Sequence, residues 1–400
     1  MVREPASAAH IAMFTVPAAG HIHPSLEIIR ELVARGHRVS YTVTDDFVDA
    51  VRSVGAEPVR YETTFPRRGE DREYPTDDIE AVTLFLDEAI HVAPQLTAHY
   101  QHDRPDLVLY DIGGYVGLAL SRWWELPAVQ ISPTYVAWDG IEEHLAGILE
   151  RRRTEPAGIR YYQRFRAWLA QYGVEEDPDD FTGRPRRSVA TIAPALQPFV
   201  EKVDTEVYTH VGPCLDVRPH QGGWSRPPEA EHLLVISLGS GYNNEPAFYR
   251  RCLEAFGAWE GWHVVLNTGA VDHAELGEIP DNFALHSWIP QLAMLRQADA
   301  FVTHAGMGGT MEAMSCGVPM VAVPQAVDQF DNAAAIERLG IGRHLPKEKA
   351  DPRALREAVR AVVDDTEVAA RCRQHREELR RAGGTTRAVE IIEGYLPVRS

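Results

Sequence analysis

The chain has 400 residues, long enough for two ordinary domains and short for three. Its apolar fraction of 44% and charged fraction of 24% are those of a soluble globular protein, and 30 glycines with 27 prolines exclude collagen-like and low-complexity classes. The net charge of −18 disfavours nucleic acid as a partner, because an acidic surface repels phosphate backbones; a small anionic ligand would need its charge met locally by helix N-termini or single side chains. Cys214, Cys252, Cys316 and Cys372 form no C-x-x-C pair, which points to a reducing compartment and away from a disulfide framework or zinc site. The first ten residues are polar, and no apolar run approaches the roughly 18 residues of a membrane span, so the expectation is a soluble, cytoplasmic protein without a membrane partner.

In chain order, residues 10–16 (HIAMFTV) are a short apolar run ended by Pro17-Ala18-Ala19-Gly20. From Pro24 to Gly36, Leu26, Ile28, Ile29, Leu32 and Val33 recur at helical spacing, with Pro24 suited to the first helical turn. A strand over 38–44, a helix near 45–53 and a long helix near 77–101 follow, then buried-strand runs at 106–111 (DLVLYD) and 127–132 (PAVQIS). Residues 213–228, rich in Pro and Gly and without periodicity, read as a linker between a domain over 1–212 and one over 229–383. The second half repeats the alternation: strands at 233–240, 263–269, 283–288, 300–306 and 319–324, with helices at 246–257, 290–297 and 308–316. The tail 384–400 is partly helical and could pack back on either half. Strand–helix alternation implies parallel sheets covered on both faces, so the fold class is α/β with two doubly wound, Rossmann-like domains facing across a cleft. In such sheets ligands sit beyond the C-terminal strand ends.

Gly20-His21-Ile22-His23-Pro24 joins the first strand to the first helix. The positive end of the helix dipole disfavours an imidazolium at His21 and favours an imidazole able to accept a proton; the alternative is a loop histidine satisfied by backbone, and His23 suits a local structural role. Asp111 ends its strand at the same sheet edge. A carboxylate on one imidazole nitrogen fixes the tautomer for proton acceptance at the other, although on spacing alone Asp111 could equally cap the next helix. In the second half, the stretch from Thr303 through His304, Gly306, Gly308 and Gly309 to Thr310 follows a strand and opens a helix, a ready site for a diphosphate on backbone N–H groups, with His304 and Ser240 as added donors. Glu312, Asp328 and Gln329 suit neutral polyols, and Trp288-Ile289-Pro290-Gln291 offers an aromatic face and an amide, although a strand-end tryptophan is commonly core. No GxxxxGK[ST] loop or complete GxGxxG after the first strand is present. Ala313–Gly317 resembles a nucleophile elbow but falls inside a helix, and Asp177-Pro178-Asp179 is a D-x-D in an acidic loop with no strand before it.

Together these elements resemble the signature of the family 1 glycosyltransferases: W-x-P-Q from Trp288, H-x-G from His304, Glu312 eight residues after that histidine, G-V-P at 317–319 and D-Q at Asp328, with G-H-x-x-P and Asp111 fitting from the first half. The whole chain, including AWDGIEEH (137–144), is most similar to the bacterial macrolide glycosyltransferases. The resemblance implies the GT-B fold, with acceptor bound by the first half and a nucleotide sugar by the second. It implies His21 as general base with Asp111 as its partner, uracil stacked on Trp288 beside Ile289, and ribose on Gln291 and Glu312. The diphosphate falls to His304, Ser240 and the 306–310 turn, and the hexose hydroxyls to Asp328 and Gln329. Plant relatives carry Asn and Ser where this chain has Gly308 and Gly309, so backbone N–H groups must do more here. The reaction expected is inverting transfer of glucose from UDP-glucose, without metal or other cofactor, to a hydroxyl of a bulky apolar natural product such as a macrolide, in antibiotic inactivation or tailoring. Phe65, Phe85, Tyr135 and Trp138 would line the acceptor pocket; Tyr161, Tyr162, Phe165 and Trp168 suit that pocket or a helix core. The rivals are a dTDP-deoxysugar transferase, a sugar-nucleotide epimerase and a non-catalytic nucleotide-sugar-binding protein. A monomer or weak homodimer is expected.

Overall fold

A computed structural model describes residues 8–66, 75–215, 222–239, 241 and 243–397. The chain divides into two compact units, residues 1–220 with 382–400, and residues 221–381. Part of the expected linker, 216–221, lies outside the described residues.

The first unit is built on parallel strands β1 (His10–Phe14), β2 (Arg38–Val43), β3 (Glu57–Arg60), β4 (Leu107–Tyr110), β5 (Ala128–Ser132), β6 (Ser188–Ala190) and β7 (Tyr208–His210), in the order β3-β2-β1-β4-β5-β6-β7. Ala12 pairs with Ser40 on one side and Val108 on the other. Alternate residues feed opposite faces, as the two-residue strand period requires. Ile11, Met13, Val39 and Leu107 pack with Ile22, Leu26 and Ile29 of the helix Ala19–Ala34, and Ala12, Phe14, Val108 and Tyr110 pack with Leu86 and Leu96 of the helix Asp78–Tyr100. The terminal helix Gly384–Glu393 lies on the first face through Ala388, Val389 and Ile392, and Arg35 Nη1 meets Glu393 at 2.9 Å.

The second unit carries β8 (His232–Ser237), β9 (Trp262–Asn267), β10 (Phe283–His286), β11 (Ala300–Thr303), β12 (Met320–Ala322) and β13 (Gly342–His344), parallel and in the order β10-β9-β8-β11-β12-β13. In each sheet the winding reverses once, between β1 and β4 and between β8 and β11. Loops at such a reversal leave in opposite directions and open a crevice at the strand ends.

One expectation needs correction, and two alternatives are decided. The first helix begins at Ala19, with Pro24 inside it: the Ile22 amide already donates to Ala18 O at 3.0 Å, so His21 lies in the first helical turn. Proline there denies the Gly20 carbonyl its i+4 donor, tolerable because Gly20 is exposed. Tyr161, Tyr162, Phe165 and Trp168 belong to the core on the helix Pro156–Ala170, where Phe165 packs on Tyr115 (centroids 5.5 Å apart) and Trp168 on Phe181 (6.4 Å). Asp177 caps the helix Pro178–Gly183 by accepting from the Asp179 amide at 3.0 Å, and Asp179 accepts from Tyr162 Oη and Arg153, so the D-x-D pair is committed to structure.

Candidate active site

In the first unit the winding reversal brings the ends of β1 and β4 together, and with them His21 and Asp111. His21 Nδ1 is hydrogen-bonded to Asp111 Oδ2. Asp111 is 1% exposed, and its Oδ1 accepts from the Gly113 amide at 2.9 Å. Gly114, with no side-chain cap, occupies the N-cap of the helix Tyr115–Trp123, so the capping alternative for Asp111 does not hold. A side chain at Gly113 would meet Phe85 Cε1 at 2.8 Å and Val16 Cγ1 at 2.9 Å, and one at Gly114 the Phe14 carbonyl at 2.5 Å; the glycine pair lets the carboxylate turn sit this close. An ionised carboxylate only accepts, so Nδ1 carries the imidazole proton and Nε2 keeps its lone pair. The His21 side chain is 20% exposed, open to a ligand proton on one side and tied to a buried anion on the other.

Of the expected acceptor residues, Phe85 packs beside His21, with ring centroids 6.1 Å apart. Phe65 stands edge-on to Phe85 at 5.2 Å but is buried, so it backs the wall that Phe85 presents. Glu88 fastens that loop by accepting from Thr63 Oγ1 at 2.7 Å and Thr64 Oγ1 at 2.8 Å. Tyr135 and Trp138 follow β5 at the same sheet edge, half-buried. Trp138 packs on Phe199, centroids 5.5 Å apart, a residue missed in the sequence. Phe199 is 46% exposed at φ +48, and only the aromatic after Gln197-Pro198 hinted at it.

In the second unit the reversal pairs the ends of β8 and β11. The His304 ring lies between two glycines: a Cβ at Gly239 would approach its Cε1 to 2.5 Å, and one at Gly306 its Nε2 to 2.3 Å. Gly239 has φ +75, which itself favours glycine. Burial pushes the His304 imidazole down to about 4, against a hydrogen bond to the Ser237 backbone, so at neutral pH it is uncharged. The next residue, Ala305, is held at φ +62. Gly306 caps the helix Met307–Cys316, whose first internal bond runs from Thr310 N to Gly306 O at 3.0 Å. The amides of Met307, Gly308 and Gly309 precede that bond, the arrangement that receives anions at helix N-termini. Thr310 departs from expectation: it is fully buried and its hydroxyl donates to the Gly306 carbonyl at 3.0 Å, so it presents no donor to a ligand. Ser240 lies outside the described residues.

Gln291 Nε2 donates to Glu312 Oε2 at 2.7 Å, joining amide and carboxylate as one polar patch. Ile289 is buried and anchors the turn, whereas Trp288 is 46% exposed, which answers the core alternative. Asp328 Oδ2 accepts from Asn332 Nδ2 at 3.1 Å, and burial pushes its carboxyl up from the ordinary value. Gln329 Oε1 accepts from the amides of Gln325 (2.8 Å) and Ala326 (3.1 Å), so its carbonyl shapes its own loop and only its NH₂ can serve a ligand. Ser315, the residue of the apparent nucleophile elbow, lies in mid-helix with its hydroxyl donating to Met311 O at 2.8 Å. Among the described residues no group of three or more His, Cys, Asp and Glu is placed to hold a metal ion, and no helix is long and apolar enough to cross a membrane.

The family described as "Erythromycin biosynthesis protein CIII-like, C-terminal domain" matches residues 250–393. The chain is 50% identical over 395 residues to the oleandomycin glycosyltransferase of Streptomyces antibioticus, covering 98% of this chain and 92% of that protein. It is 36% identical to the NDP-glycosyltransferase YjiC of Bacillus licheniformis, covering 97% and 98%. Among solved structures, the "glycotransferase of kitacinnamycin" superposes with a TM-score of 0.89 at 46% identity, covering 98% of this chain and 99% of that one. With its two parallel-sheet units of the GT-B fold, the chain belongs to the family 1 glycosyltransferases, close to the bacterial macrolide enzymes.

Proposed function

We propose that this glycosyltransferase moves glucose from UDP-glucose to a hydroxyl of a bulky apolar natural product of the macrolide type, with inversion at the anomeric carbon. The observation that carries the reading is the His21–Asp111 pair, a partly exposed imidazole hydrogen-bonded to a buried carboxylate at the end of the first sheet. His21 Nε2 takes the acceptor hydroxyl proton while the oxygen bonds to the anomeric carbon; the bond from that carbon to the diphosphate oxygen breaks on the opposite face, and UDP leaves with the electron pair. Asp111 holds the imidazole in the accepting tautomer and stabilises the imidazolium. General-base assistance of this kind is worth about 10²–10⁴-fold.

The leaving diphosphate is met by the first-turn amides of the helix Met307–Cys316 and by neutral His304, fixed dipoles that need no metal counter-charge. Trp288 stacks on the base, Gln291 and Glu312 hold the ribose, and Asp328 with the Gln329 amide group takes the hexose hydroxyls. The acceptor class is supported by similarity to an oleandomycin glycosyltransferase and by the Phe85 wall beside His21. The test is mass spectrometry of products from a panel of macrolides and polyphenols with UDP-glucose, UDP-galactose and dTDP-glucose, with and without EDTA. Preference for dTDP-glucose would overturn the donor assignment, strict Mg²⁺ dependence the metal-free mechanism, and turnover of polyphenols alone the acceptor class.

A further inference from the structure

One side chain joins the turn that carries His304 to the loop that carries Asp328. Asn332, on the helix Gln329–Arg338, is fully buried. Its Nδ2 donates to the Ala305 carbonyl at 2.9 Å and to Asp328 Oδ2 at 3.1 Å, committing both amide hydrogens. Both places need fastening. Ala305 has φ +62 and Val327, the residue before Asp328, has φ +45, left-handed conformations that side chains other than glycine's adopt under strain. Such backbone persists where surrounding groups over-determine it. The Ala305 amide donates to Thr303 Oγ1 at 3.1 Å, and Asn332 holds the same residue from its carbonyl side.

We propose that Asn332 is a positioning residue for the glycosyl donor: it fixes the Ala305 turn and the Asp328 carboxylate in one arrangement, so that diphosphate and hexose are recognised as a unit. The proposal rests on the reading that this turn meets the diphosphate and Asp328 the hexose. Burial and the neighbouring Asp331 carboxylate both push the Asp328 carboxyl up, and the Asn332 hydrogen bond works against them. Without that amide, Asp328 takes up a proton at higher pH and becomes a poorer acceptor for sugar hydroxyls.

Calorimetric titration of the full chain with UDP and with UDP-glucose tests this in wild type, Asn332→Ala, Asp328→Ala and the double variant. Asn332→Ala should weaken UDP-glucose by about 10- to 100-fold, the worth of a hydrogen bond to a charged group, and UDP by a smaller factor through Ala305 alone. In the Asp328→Ala background the same change should cost UDP-glucose only what it costs UDP. The acid limb of UDP-glucose affinity should move to higher pH in Asn332→Ala. Equal losses for both ligands in both backgrounds, with an unmoved acid limb, would reduce Asn332 to a packing role and overturn the proposal. If Asp328→Ala leaves the UDP-glucose to UDP affinity ratio unchanged, the hexose reading fails and takes the proposal with it; if that ratio falls but Asn332→Ala does not lower it, the proposal fails alone. Should Asn332→Ala not fold, Asn332→Ser leaves a smaller hole and is read by the same ratio and the same acid limb.

Discussion

The glycines around His304 permit a quantitative test of how the proposed diphosphate site is built. Gly306 has φ −60 and ψ 144, open to any residue, so alanine there meets only a steric problem. Its Cβ would lie 2.3 Å from His304 Nε2, and ordinary contact begins at 3.4 Å, so ring and backbone must part by about 1 Å. The ring has little room to retreat, because a Cβ on the Gly239 side would already be 2.5 Å away. Overpacking of this kind costs about 1–3 kcal/mol, and loss of a glycine N-cap adds a fraction of that. Gly239→Ala should cost more, since φ +75 adds about 1–2 kcal/mol of left-handed strain to a comparable clash. Gly308→Ala should do the reverse to stability: nothing lies within 4 Å of its Cβ, and alanine in a helix gains about 0.5–1 kcal/mol over glycine. Thermal unfolding and UDP titration on the three variants decide it. Gly306→Ala and Gly239→Ala should lower Tm and weaken UDP about tenfold or more as the His304 donor is displaced, at 1.4 kcal/mol per decade, while Gly308→Ala raises Tm. If all three shift Tm alike, or if folded Gly306→Ala binds UDP like wild type, the ring is not held by its glycines in the way described.

Other substitutions probe the remaining contacts. His21→Ala should cut kcat by about 10²–10⁴-fold with UDP affinity intact by calorimetry, and retained turnover would remove the base assignment. Trp288→Ala should weaken UDP by about 1–3 kcal/mol if the indole stacks on the base, with little change in Tm because the ring is already half in solvent. Phe165→Ala should destabilise the first unit by about 3–5 kcal/mol in denaturant titration, as a core residue must. His304 gives a pH signature. Its folded imidazole titrates at about 4 against 6.5 unfolded, so above 6.5 neither state is protonated and stability is complete. As pH falls from 6.5 through 4 the unfolded chain binds the proton first and up to about 3 kcal/mol is lost. The Tm of His304→Gln should fall less over that interval than wild type, and parallel curves would contradict the burial of a neutral imidazole.

Much of this architecture was legible in the chain itself, because apolar runs at strand length alternating with helical periodicity leave few arrangements other than wound parallel sheets. The points of failure were local. Pro24 marks a helix start when read by propensity, yet the helix begins at Ala19, since one proline early in a helix forfeits a single bond that an exposed carbonyl can lose cheaply. The aromatics of the helix Pro156–Ala170 carried no sign of which face they used, and the core took them. Thr310 looked like a phosphate donor until its hydroxyl turned back on its own helix. His21 and Asp111 stand 90 residues apart in sequence, and strand order, which no spacing encodes, made them neighbours.

That dependence on strand order also explains which residues pattern reading passes over. Each unit places its candidate site residues where its winding reverses: His21 and Asp111 beyond β1 and β4, Gly239 and His304 beyond β8 and β11. Loops converging at such a point must bend sharply, and the bends at Ala305 and Val327 are taken by residues with side chains, at φ +62 and φ +45. The strain has to be offset by groups outside the bends, here Asn332 on Ala305 and Gln329 on the amides of Gln325 and Ala326. Asn332 touches no substrate in this reading and belongs to no spacing that chemistry demands, so it becomes visible only once the backbone it restrains is seen. The general consequence is that variants at restraining positions should alter donor recognition through the strained backbone, with losses set by how far the bend relaxes and largely independent of the acceptor supplied.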